Sequence, residues 1–189
     1  MTASNENINK TDHGGVGIIG CGWLGTALAK KLQQQHYPIK ATTGSAESAE
    51  LLNKAGIDAH VLSLPLGDSA VSTVSGLEVF TMSTLVICLP PGFKRGLTNY
   101  AEKMANIVAL AEKHEVKKLI MISSTAIYNG LTGLVDENTA LDFTANKVQL
   151  MHDAEQEILT FKGQKNILRL SGLVGPKRHP GRFLSGDKI

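Results

Sequence analysis

The chain has 189 residues, 42% apolar, 19% charged and 5% aromatic, enough for one α/β domain with its own core and too apolar for a disordered or fibrous protein. Nineteen Lys and Arg stand against seventeen Asp and Glu, a net charge of +2 without a long block of one sign, so no electrostatic footprint for DNA or RNA is present. One Trp, three Tyr and five Phe are thin material for a base-stacking platform. No apolar run approaches the roughly 18 residues of a membrane span. Cys21 and Cys88 are too few for a disulfide framework and lack metal-ligand spacing, so the reading is a soluble cytoplasmic protein with no metal site.

Residues 1–13 are polar, with no periodic apolar pattern, and are expected to be a disordered lead-in to a single domain over 14–189. Residues 16–19 read as a buried strand. Residues 23–35 read as a helix with Leu24, Leu28 and Leu32 on one face. A second strand is expected over 37–43, a helix over 45–55 with Ser45 as N-cap, and a third strand over 59–64. The segment 65–83 carries no clear pattern. The apolar run 85–89 stops at Pro90-Pro91-Gly92, and the spacing of Tyr100, Met104, Ile107, Val108 and Ala111 predicts a helix over 98–114. A strand over 118–123, a helix over 143–160 and a sixth strand over 166–170 complete the pattern. Strands alternating with helices imply a parallel sheet covered on both faces, and right-handed crossovers give a doubly wound order 3-2-1-4-5-6.

Gly20-Cys21-Gly22-Trp23-Leu24-Gly25 follows the first strand and opens the first helix, the context that gives a GxGxxG pattern its meaning. Gly20 permits the tight turn, Gly22 lets a pyrophosphate approach the backbone, and Gly25 allows close packing of helix on strand. The free N–H groups of Trp23, Leu24 and Gly25 would face the phosphates. A glycine-rich connection without a ligand is the plainer alternative. At the tip of the second strand, where an acidic residue would bind the ribose hydroxyls of NAD, the sequence offers Thr42, Thr43, Gly44 and Ser45. Hydroxyls do not repel a 2′-phosphate, which favours NADP, while the lack of a clamping arginine keeps NAD open. Cys21 and Cys88 fall near the ends of neighbouring strands and read as small buried hydrophobes rather than a redox pair.

The glycine turn, Ser123-Ser124-Thr125-Ala126-Ile127-Tyr128 and Leu170-Ser171-Gly172-Leu173-Val174-Gly175-Pro176 together resemble the extended short-chain dehydrogenase/reductase superfamily, in its NAD-dependent epimerase/dehydratase branch. The stretch from Gly175 to Leu184 is similar to that of an atypical bacterial subgroup. The resemblance implies an NAD(P)-binding Rossmann fold and a dinucleotide partner. It also implies a Ser or Thr that holds the substrate oxygen, a Tyr that exchanges its proton, and a Lys four residues later on the nicotinamide ribose. By position, Ser124 matches the first and Lys147 the last, but Phe143 stands where the Tyr belongs. A phenyl ring has no proton to exchange. Tyr128 is the nearest other phenol, with packing against the loop as its plainer role. Pro90, after strand four, falls where a loop passes over the nicotinamide half of the cofactor, though structural punctuation explains it equally well.

Arg178, His179 and Arg182 follow strand six, on the loop that in this family faces the substrate, where they would grip an anionic group; a solvated basic tail is the alternative. Relatives of this kind continue into a small C-terminal substrate region, which the resemblance implies is absent here. The substrate is an unspecified small molecule, and the oligomeric state is open, a homodimer included. The resemblance implies oxidoreductase-type chemistry at an altered site, beside which stands a non-catalytic NAD(P)-binding sensor or regulatory module.

Overall fold

The computed structural model describes residues 14–66, 74–93, 96–176 and 178–181; the expected lead-in over 1–13 and Arg182 lie outside them. Six strands form one parallel sheet: β1 (Val16–Ile19), β2 (Ile39–Thr43), β3 (Ala59–Val61), β4 (Thr84–Ile87), β5 (Lys118–Ser124) and β6 (Gln164–Leu170). Their order is β3-β2-β1-β4-β5-β6, as the alternating pattern predicts. The helices are α1 (Trp23–Gln34), α2 (Ala46–Lys54), α3 (Tyr100–Lys113) and α4 (Asn146–Leu159), with 3-10 segments at Val74–Thr81 and Thr125–Tyr128.

Successive strand residues point to opposite faces, and the core divides accordingly. Ile18, Ala41 and Val86 face α1 and α2. Ile19, Leu85, Ile87, Leu119 and Met121 face α3 and α4, meeting Met104, Ile107, Ala154 and Ile158. Helices flank both faces of the sheet as expected, with thinner cover at β5 and β6. There α3 and α4 cover one face, while Ile120 and Ile122 on the other are only partly buried and β6 is largely exposed. Both crossovers from β4 through β6 return on the same side, so among the described residues no helix lies over the opposite face there.

Two boundaries shift for identifiable reasons. Strand β2 begins at Ile39 rather than at 37, because Pro38 has no N–H to join a ladder. Helix α4 begins at Asn146 rather than at 143. Asp142 Oδ1 accepts the backbone N–H of Thr144 at 3.0 Å, an Asx turn that holds Phe143 and Thr144 out of the helix.

Candidate dinucleotide-binding site

The C-terminal ends of all six strands lie along one edge, and the order reverses between β1 and β4, where open α/β sheets bind ligands. The glycine turn sits there. Gly20 has φ +86°, a left-handed conformation that favours glycine, and a Cβ on it would come within 2.7 Å of Leu89 Cδ2. A Cβ on Gly25 would lie 3.0 Å from the Gly20 carbonyl oxygen and 3.1 Å from Ile18 Cγ2. A Cβ on Gly22 would meet nothing within 4 Å. The turn is therefore tight at Gly20, close-packed at Gly25 and open at Gly22, and no side chain caps the N-terminus of α1. An open surface of uncapped helix N–H groups fits a phosphate.

Two cavities flank this turn and share Gly20, Gly22, Cys88, Leu89 and Pro90. The smaller, about 430 Å³, is lined by Thr42, Thr43, Gly44, Ser63 and Lys103. The larger, about 740 Å³, adds Trp23, Leu24 and Gly25 from the turn and Ser124, Tyr128 and Arg178 from the strand ends beyond it. Two cavities that share the glycine turn suit the two halves of a dinucleotide.

The expected residues divide between these cavities and elsewhere. Ser45 is not in the smaller cavity's lining; its Oγ accepts the backbone N–H of Ser48 at 3.3 Å and caps α2. Lys147 does not line the larger cavity. Its Nζ donates to Asn129 Oδ1 at 2.7 Å, and Asn129 is part of the wall. Phe143 is 46% exposed and packs edge-on against His152, ring centroids 5.1 Å apart. His179 also stays off the wall, its Nδ1 accepting the N–H of Gly181 at 3.2 Å.

Ser124 Oγ accepts the N–H of Ala126 at 3.2 Å, capping the 3-10 turn that carries Tyr128. The Tyr128 hydroxyl accepts from Arg169 Nη1 at 2.7 Å, which leaves its own proton available to donate. Behind it lies a network that sequence reasoning missed. The Glu155 carboxylate, 2% exposed, accepts from Ser123 Oγ at 2.6 Å and from Arg169 Nη2 at 2.7 Å. The paired carboxylate holds the Arg169 guanidinium well above its ordinary pKa. A signal existed: Glu155 falls on the apolar stripe of Val148, Met151 and Ile158, and Arg169 interrupts an apolar strand.

Tyr100 forms part of the larger cavity's wall, and its hydroxyl donates to the Leu89 carbonyl at 3.1 Å; burial pushes this phenol up, away from ionisation. Cys88 belongs to both cavities, and burial, with a smaller contribution from Cys21, pushes its thiol up to about 12. Both cysteines are free thiols. Among the described residues no group of three or more His, Cys, Asp or Glu could hold a metal ion, and no helix is long and apolar enough to cross a membrane.

The model of the NAD(P)H-binding family matches residues 20–187, starting at the first glycine of the turn. The chain belongs to that family. This NAD(P)-binding domain is 29% identical over 174 residues to Protein YeeZ of Escherichia coli K12, spanning 90% of this chain and 63% of that protein. The fold is similar to that of a Methylobacillus flagellatus protein classed with NAD-dependent epimerases/dehydratases, with TM-score 0.70 and 23% identity over 92% of this chain and 59% of the other. It is also similar to UDP-glucuronic acid 4-epimerase from Bacillus cereus in complex with NAD, with TM-score 0.66 and 15% identity over 87% of this chain and 59% of the other. The NAD(P)-binding domain thus spans about three fifths of the length of these proteins. The α/β Rossmann fold and the NAD(P)-binding family implied by the sequence motifs hold.

Proposed function

We propose that this domain binds NADP(H) or NAD(H) along the glycine turn and serves an oxidoreductase-type reaction on a small carbonyl or hydroxyl compound. One observation carries the reading: the cavity beside Gly22 also holds Ser124 and Tyr128 in its wall. When bound, the dinucleotide supplies or accepts a hydride. Ser124 would hydrogen-bond the substrate oxygen. Tyr128 would hold and exchange its proton, since Phe143 has none, and Arg169 would keep the phenol oriented through the bond to its oxygen. Lys147 would act through Asn129.

Preference for NADP is supported by the smaller cavity. Thr42, Thr43 and Ser63 present hydroxyls, Lys103 is a cation, and among the described residues no carboxylate lines it. None of these groups repels a 2′-phosphate.

A non-catalytic NAD(P)-binding sensor is favoured by a different observation: the Phe143 ring packs on His152, so the Tyr and Lys pair of the larger family is not assembled. Turnover of a panel of carbonyl compounds by the natural protein, Phe143→Tyr and Tyr128→Phe separates the two readings. General acid catalysis is worth about 10²–10⁴-fold. A loss of that size in Tyr128→Phe, with cofactor affinity kept, supports the enzyme. Binding without turnover in all three supports the sensor.

A further inference from the structure

The loop after β6 folds back on itself and is fastened to the glycine turn. Gly175 and Arg178 exchange backbone hydrogen bonds, Arg178 N–H to the Gly175 carbonyl at 2.9 Å and the reverse at 3.3 Å. Trp23 Nε1 donates to the Pro176 carbonyl at 3.0 Å. The Arg178 guanidinium carbon lies 5.1 Å from the centroid of the Trp23 ring, within range of cation–π attraction. The turn also sits close, since a Cβ on Gly175 would come within 2.9 Å of Trp23 Cζ2. Trp23 is the first residue of α1, directly after Gly22. A loop far away in sequence is thus tied by a hydrogen bond and a stacked cation to the residue that opens α1 directly after the glycine turn.

Charge decides what the strap is for. A dinucleotide diphosphate carries two negative charges, and a helix N-terminus offsets only about half of one. Of the described residues lining the larger cavity, Arg178 is the only formally charged one. Its planar fork is suited to paired phosphate oxygens. On the reading that the glycine turn binds a dinucleotide, we propose that Arg178, seated on Trp23, grips the cofactor diphosphate, and that the Gly175–Arg178 turn is a strap over it. Arg178 then belongs to the cofactor and not to the substrate, against the sequence expectation.

The test is an equilibrium titration of the full chain, Arg178→Gln and Arg178→Lys with NADH, NADPH and ADP. Trp23, the chain's one tryptophan, reports binding through its fluorescence, and melting temperatures without ligand check the fold. The strap predicts that Arg178→Gln weakens all three ligands about 10- to 100-fold, the range for losing a charge-assisted phosphate contact. NADH and NADPH lose equally, because the diphosphate is common to both, and Arg178→Lys recovers part of the loss. Unchanged affinity in Arg178→Gln, while the natural protein binds and Gly22→Val does not, overturns the strap and leaves dinucleotide binding standing. A loss confined to NADPH assigns Arg178 to the 2′-phosphate and also overturns it. No binding by the natural protein overturns both.

Discussion

Cys88 stands where the two cavities meet, yet its burial removes the reactivity that a thiol beside a cofactor would otherwise have. With its pKa raised from 9.0 to about 12, the thiolate fraction near pH 8 falls about 10³-fold below that of an ordinary thiol, and the thiolate is the nucleophile. Iodoacetamide labelling followed by mass spectrometry should therefore find Cys88 nearly inert at that pH, gaining reactivity only as pH climbs towards 12; rapid labelling at pH 8 contradicts this. Gly22 gives a second residue-scale prediction. Its φ is −85° and a Cβ there touches nothing, so Gly22→Val should leave the melting temperature unchanged. The branched side chain fills the phosphate position, and NADH affinity measured by titration should drop by more than about 100-fold, equivalent to roughly 3 kcal/mol. Gly20 and Gly25 are the wrong positions for this test, because a Cβ at either collides with the protein itself.

Among the elements, α4 and β6 are coupled through charge. Glu155 is buried, and its carboxylate is balanced by Arg169 and Ser123. Removing one partner leaves an uncompensated buried charge, which costs about 3–5 kcal/mol. Arg169 keeps 21% of its side chain exposed, so Arg169→Met should fall at the lower end, about 3 kcal/mol by urea denaturation. Replacing both charges, Glu155→Leu with Arg169→Met, should restore much of that stability; a double variant as unstable as the single one contradicts the pairing. The same elements show where sequence reading stops. The apolar stripe of α4 and the run of β6 are plain in the sequence, but their pairing joins residues 14 apart across a helix-to-strand turn, and neither stripe states what the charged interruption meets. Periodicity places the start of α4 at Phe143, three residues before Asn146, because it does not register the Asx turn at Asp142. The glycine turn, by contrast, is readable in full, since its three positions act through local backbone geometry. Ser45 stands at the tip of β2 and its hydroxyl caps α2, the N-cap that the sequence predicts.

At the level of the whole molecule, the six-strand order places one glycine turn between two cavities, with hydroxyls and Lys103 on one side and Ser124 and Tyr128 on the other. Short-range pattern gives the order of the strands and singles out Arg178 as an anion-binding candidate, whereas Ser63 and Lys103 reach the smaller cavity from distant segments and carry no local signal. Dinucleotide occupancy of both cavities would stabilise the folded state with the logarithm of ligand concentration over Kd, by about 2.7 kcal/mol at a hundredfold excess. Side-by-side thermal titration with NAD, NADH, NADP and NADPH reads this out on the full chain. The geometry predicts a concentration-dependent rise in melting temperature with all four, at least as large for the NADP pair as for the NAD pair, and its loss in Gly22→Val. No shift with any of the four at millimolar concentration contradicts dinucleotide binding at this turn, and a tenfold or greater preference for NAD contradicts the role given to Thr42, Thr43 and Lys103.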